Sequence, residues 1–118
     1  MLQTLVVADT EPFADLFYEV GTTYWEMKRH DKALTYLRRV VEFEQYNTPV
    51  VWQKMAACLL ALGNLEPAEH LVTAALDMEP SFTEAKQVLL AIYEKQGKHV
   101  EALKISILPT QFSIKTKP

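Results

Sequence analysis

The chain has 118 residues, with 12 basic and 15 acidic side chains and a net charge of −3. That is one domain's worth of chain, too close to neutral to advertise a nucleic-acid surface, and its one cysteine excludes an internal disulfide framework. No stretch reaches the ~20 apolar residues of a membrane span, so no membrane partner is expected, and Met1 to Ala8 lacks the basic leader of a secretory signal.

At the N-terminus Leu2, Leu5 and Val6 are spaced as one helical face, and Pro12 follows where a helix closes. Residues 1–11 therefore read as the tail of a preceding helix, one whose partner helix is not in this sequence, with a frayed N-terminal leader as the alternative. A first full pair of helices is expected over Pro12–Lys28 and Asp31–Glu44. Its turn, Lys28-Arg29-His30, has no glycine. Lys28, Arg29, Lys32, Arg38 and Arg39 form a basic cluster with acidic residues between them, which reads as a solvated helix face rather than a phosphate-contacting patch. Direct DNA binding is not expected. The link Gln45-Tyr46-Asn47 is one residue longer than the repeat needs and should change the stacking of the first two pairs.

The clearest unit runs from Thr48 to Pro80. Thr48 and Pro49 form a helix start, a hydroxyl that can accept an orphan amide followed by a proline with no amide to lose. Val51, Met55, Cys58, Leu59 and Leu62 then fall on one side of a 3.6-residue period. Gly63 closes that helix in the left-handed conformation, and Asn64 can cap the next. Pro67 is tolerated in a first turn. Ala68, Leu71, Val72, Ala75 and Leu76 carry the second apolar stripe, and Pro80 ends it.

A third unit opens on Ser81-Phe82-Thr83-Glu84, which has the form of a capping box. Its first helix runs to Gln96, Gly97 ends it, and a second begins near His99 and deteriorates around Ser106 and Pro109. Residues 109–118 have no period and read as an unstructured tail.

The units are copies. Tyr24 to Leu59 and Ala33 to Ala68 are each 35 residues, while Leu59 to Tyr93 and Ala68 to Ala102 are each 34. Helix-turn-helix self-similarity at this period, with Gly21, Ala56, Ala33, Ala68 and Ala102 where paired helices press together, resembles the tetratricopeptide (TPR) repeat. The resemblance implies an all-α TPR superhelix of about three repeats (units near 14–47, 49–82 and 83–108) plus a partial N-terminal helix. Trp52, Met55, Leu59, Ala68, Val72, Tyr24, Leu37 and Tyr93 are expected to be mostly buried.

TPR proteins act as assembly scaffolds, and in their arrays the first helix of each unit lines a concave groove. Carried onto this chain, the groove positions are Asp15, Tyr18, Thr22, Trp25 and Glu26; then Val50, Gln53, Ala57 and Leu60; then Glu84, Gln87, Ala91, Glu94 and Lys95. Their charges imply an acidic groove with apolar anchors, suited to a peptide or helix with an apolar face and basic flanks. The carboxylate-clamp co-chaperones are a poor match, because the corresponding positions include Tyr18, Thr22, Glu84 and Val88, with only Lys54 suitably charged.

A more specific resemblance lies in the wording of the link and the helix after it: Tyr46-Asn47, Val50-Val51-Trp52, Cys58-Leu59 and Ala61-Leu62-Gly63. These are similar to the TPR block of the large TPR subunit family of transcription factor IIIC. That resemblance covers Glu11 to Leu103 and implies a fragment of a nuclear scaffold that bridges factor IIIC and factor IIIB subunits to recruit RNA polymerase III. The alternative is a TPR adaptor of another complex, such as a cytoplasmic assembly or trafficking complex. No enzyme, cofactor or metal is implied. The three glycines are far apart, His30, His70 and His99 are not paired at i, i+4, and Cys58 reads as a buried, inert thiol.

Overall fold

The structure, a computed structural model, describes the backbone of residues 2–107 and the side chains of residues 13–105. Six α-helices follow one another: α1 (Leu2–Glu26), α2 (His30–Val40), α3 (Pro49–Ala61), α4 (Leu65–Met78), α5 (Thr83–Lys95) and α6 (His99–Ile107). They pair as α1 with α2, α3 with α4 and α5 with α6, and the pairs stack through α2 on α3 and α4 on α5. The all-α solenoid expected from the period is present. Buried residues from all three pairs, among them Leu37, Val51, Leu59, Val72, Leu89 and Ile92, form one continuous core. A repeat pair cannot bury its own apolar faces and needs its neighbours to do so.

The turns inside the pairs are built alike. Arg29 donates its backbone N–H to Tyr24 O, Asn64 to Leu59 O and Lys98 to Tyr93 O, at 2.8–2.9 Å. Each bond spans five residues and forces the residue before the donor into the left-handed region. Gly63 (φ +88°) and Gly97 (φ +77°) take it freely, whereas Lys28 takes it at φ +63°. The small residues sit where helices are closest. Ala33, Ala56 and Ala68 are fully buried. A Cβ on Gly21 would lie 3.2 Å from Leu37 Cδ2 and from Tyr36 Cβ.

Three expectations are corrected. First, α1 is a single helix from Leu2 to Glu26 that runs through Pro12, so residues 1–11 do not form a separate element. Proline in a helix is disfavoured by about 3 kcal/mol, a penalty that continuity can outweigh. Second, α2 stops at Val40 instead of Glu44, and Glu44–Tyr46 form a short 3-10 turn. Phe43 turns extended there (ψ 127°), so the chain leaves the helix early and delivers Tyr46 back toward α1. Third, the capping box does not form. Phe82, not Ser81, precedes α5, and no side-chain cap bond is made at Thr48, Asn64 or Phe82. Phe82 packs against the core, and that contact sets the start of α5. Tyr24, Trp52 and Tyr93, expected to be mostly buried, are partly buried and pack against the core. The expectations for the side chains of Leu2 and Leu5, and for residues 108–118, lie outside the described residues.

Candidate partner-binding groove

α1, α3 and α5 are the first helices of the three pairs and carry all the candidate groove positions. On α1, Asp15 and Glu26 are exposed, while Tyr18, Thr22 and Trp25 are half-buried. On α3, Val50 is exposed and Ala57 and Leu60 are half-buried. Gln53 is only 6% exposed and belongs to the packed interior rather than to an accessible surface. On α5, Glu84, Gln87, Glu94 and Lys95 are exposed and Ala91 is half-buried.

Two residues outside that set reshape the first third of the groove. The Tyr46 ring, from the link, stacks on Tyr18 with centroids 4.8 Å apart and planes 22° from parallel. Its hydroxyl donates to Asp15 Oδ1. The hydrogen bond to that carboxylate, followed by burial and its negative charge, pushes the Tyr46 phenol up from 10.0 to about 12. Asp15 and Tyr18 are thus engaged by the chain itself. The second residue is Lys54, whose ammonium lies 4.8 Å from the centre of the Trp25 ring. Trp25 presents an aromatic face already capped by a cation. Thr22 Oγ1 is buried and finds no hydrogen-bond partner among the described residues.

Neither Tyr46 nor Lys54 carried a local signal of this role. Tyr46 meets Asp15 across 31 positions of sequence, and Lys54 is one residue past Gln53 on the same helix. The link holds itself in place as well, because Trp52 Nε1 donates to Asn47 Oδ1 at 2.7 Å. The Tyr46-Asn47…Trp52 wording therefore has a structural task at the joint between the first two pairs.

Glu26, Glu84 and Glu94 supply exposed negative charge, and Trp25, Val50 and Leu60 supply apolar area. Cys58 is fully buried, and burial pushes its thiol up to about 11, so it stays protonated and out of reach at neutral pH. Among the described residues no group of three or more His, Cys, Asp or Glu side chains could hold a metal ion, and no helix is long and apolar enough to cross a membrane. The basic cluster of Lys28, Arg29, Lys32, Arg38 and Arg39 is exposed, and the Arg39 guanidinium covers the Phe17 ring at 5.3 Å.

Comparison with known proteins agrees with this architecture. The tetratricopeptide-repeat family model matches residues 14–47. The human general transcription factor 3C polypeptide 3 is 32% identical over 103 residues, covering 87% of this chain and 12% of that protein. The Schizosaccharomyces pombe transcription factor tau subunit sfc4 is 30% identical over 90 residues, covering 76% and 9%. The mitochondrial import receptor subunit TOM70 of Saccharomyces cerevisiae is 22% identical over 95 residues, covering 80% and 15%. Among solved structures, the first TPR domain of Spaghetti (RPAP3), bound to an HSP90 peptide, superposes with a TM-score of 0.70 at 24% identity, covering 78% of this chain and 72% of that one. The chain spans at most about one-seventh of the length of these curated relatives. It has an all-α tetratricopeptide-repeat fold, its residues 14–47 match the tetratricopeptide-repeat family model, and it is similar to the transcription-factor subunits as a segment is to much longer proteins.

Proposed function

We propose that this TPR scaffold is a segment of a factor IIIC-type subunit, acting in the nucleus, whose groove holds protein partners during assembly of the RNA polymerase III initiation complex. The observation that carries this reading is the similarity to the human transcription factor subunit across most of the chain. The structural role of the Tyr46–Trp52 link, where the resemblance is most distinctive, supports it. The partners would include other factor IIIC and factor IIIB subunits.

With Asp15 and Tyr18 engaged by Tyr46, the working part of the groove lies from Trp25 onward. Trp25 and Leu60 offer an apolar anchor, and Glu26, Glu84 and Glu94 favour a segment with basic flanks, bound as a helix or extended. Opposite charge would steer and orient that segment, so binding weakens with salt. Affinity purification with the tagged chain should recover polymerase III factors. Trp25→Ala should cost about 2 kcal/mol or more of affinity while leaving the helical content intact. A folded Trp25→Ala variant that recovers the same partners equally well at low and high salt would overturn the groove reading. Recovery of a different assembly with none of these factors would favour the second reading, a TPR adaptor in another pathway, for which the TOM70 similarity speaks.

A further inference from the structure

A second surface lies on the basic stretch that the groove does not use. Residues 28–40 hold five of the chain's 12 basic side chains and one of its 15 acidic ones. On α2, Lys32, Tyr36 and Arg39 follow at i, i+4 and i+7, which puts them on one face with the two cations about 10 Å apart along the axis. Phe17 and Tyr24 meet them from α1, one position, or about 100° round the helix, from the groove residues Tyr18 and Trp25. The Phe17 and Tyr36 ring centres are 6.2 Å apart, and Tyr24 stacks on Tyr36 at 5.8 Å. A notch of about 310 Å³ opens between the two helices, lined by these three rings with Lys32, Thr35 and Arg39. The Arg39 guanidinium, 5.3 Å from the centre of the Phe17 ring, keeps a fork of N–H donors suited to a carboxylate.

The notch is on a flank of the solenoid that stacking leaves open. The second pair has a neighbour on each side, and there the counterparts of the six lining residues are Trp52, Leu59, Pro67, His70, Leu71 and Ala74. Pro67 and His70 are exposed, and Trp52, Leu71 and Ala74 are half-buried. Only Leu59, the counterpart of Tyr24, is buried. The same flank of α4 carries a depression of about 450 Å³ lined by Glu66, Glu69, His70 and Asp77 among others. The flank is thus accessible in a pair enclosed by neighbours, and its charge changes sign from α2 to α4.

We propose that the notch docks an acidic protein segment. An aromatic or aliphatic side chain of the segment enters beside Phe17 and Tyr36, and carboxylates on either side of it meet Lys32 and Arg39. Charge complementarity names the occupant, and about three residues of extended chain cover the distance between the two cations. A nucleic-acid strand fits less well. It carries a charge at every phosphate and would continue over the carboxylates of the α4 flank, whereas a protein segment need be acidic only across α2. This surface is independent of the groove and of the function proposed for it.

Fluorescence anisotropy with the full chain at low salt tests it. The probes are labelled glutamate-rich peptides with one central phenylalanine, leucine or alanine, and single-stranded oligothymidine. The phenylalanine and leucine peptides should bind about tenfold or more tightly than the alanine peptide. Lys32 and Arg39 are exposed, so the fold tolerates Lys32→Glu and Arg39→Glu, and circular dichroism checks that it does. Each should weaken the phenylalanine peptide about fivefold or more. Trp25→Ala, a groove variant, should leave that binding unchanged, so this proposal and the groove reading fail separately. Absence of binding by all three peptides overturns the proposal. So does equal binding of the phenylalanine and alanine peptides, which would be attraction by charge alone, and so does binding that both folded variants leave intact. Oligothymidine that binds more tightly than the phenylalanine peptide, and is lost in the same variants, would make the notch a nucleic-acid surface instead.

Discussion

The two joints between helix pairs solve one packing problem in two ways. Between the second and third pairs the link is residues 79–82, and α5 packs directly against both α3 and α4. Ala85 and Ile92 of α5 are fully buried, and a hydrogen bond from Gln96, the residue that follows α5, reaches Glu69 of α4. Between the first and second pairs the link is twice as long, residues 41–48, and α1 does not approach α3 as closely as α3 approaches α5. Large side chains span the joint: the Tyr46 ring stacks on Tyr18 and the Tyr46 hydroxyl donates to Asp15. A joint of small residues depends on volume, and adding atoms breaks it. A joint of aromatic and polar contacts depends on particular groups, and removing them breaks it.

The largest effect should come from adding volume where the two helices of one pair are closest. Ala68 is fully buried, so Ala68→Trp should destabilise by roughly 1–3 kcal/mol or more through overpacking, read as a lower melting temperature. An unchanged melting temperature would mean that the second pair can open without cost. At the other joint, Tyr46→Ala should cost about 2 kcal/mol, since it deletes both an aromatic stack and a hydrogen bond to a carboxylate. Chemical denaturation measures it, and a loss below about 0.5 kcal/mol would show that the link is not a fastener.

Sequence reading handled these two joints unequally. The period, the glycines at 63 and 97 and the alanines at 33, 68 and 102 follow rules that are local or that repeat, so the solenoid and its close-packed side were legible. What was missed depends on which elements meet. Tyr46 finds Asp15 and Tyr18 only after α1 and the link are brought together. Gln53 looks like a polar groove residue by spacing, yet it is buried. The cap residues Thr48, Asn64 and Ser81 are of the right type, but packing of Phe82 on the core and the geometry of the turns leave their side chains without cap bonds. Pro12 shows that a residue which usually ends a helix can lie within one.

A smaller effect isolates the hydroxyl. Tyr46→Phe keeps the ring stack and removes only the bond to Asp15, so it should cost about 1 kcal/mol. Its pH dependence has a fixed sign. The folded-state pKa is raised from 10.0 to about 12, so the neutral phenol is favoured in the folded state. The contribution is therefore fully present below pH 10 and is lost as pH rises toward 12. The stability difference between wild type and Tyr46→Phe should be constant through neutral pH and shrink across that window. A difference that stays constant up to pH 12 would show that the hydroxyl does not make this bond in the folded state.

The smallest expected effect has the opposite sign and concerns the turns. Lys28 occupies the left-handed position that Gly63 and Gly97 occupy in the other two pairs, with the same five-residue backbone bond behind it. A side chain there costs about 1–2 kcal/mol, and glycine relieves this while giving back part of the gain through its greater freedom when unfolded. Lys28→Gly should thus stabilise the chain by about 0.5–1 kcal/mol. Gly63→Ala and Gly97→Ala should each lose about 1 kcal/mol, although nothing lies within 4 Å of the Cβ that each would add. Because space is open at both glycines, any loss must come from the backbone. Equal stability of all three variants and wild type would mean that the turn of the first pair is held by its neighbours rather than by its own conformation, and that the lysine there carries no strain.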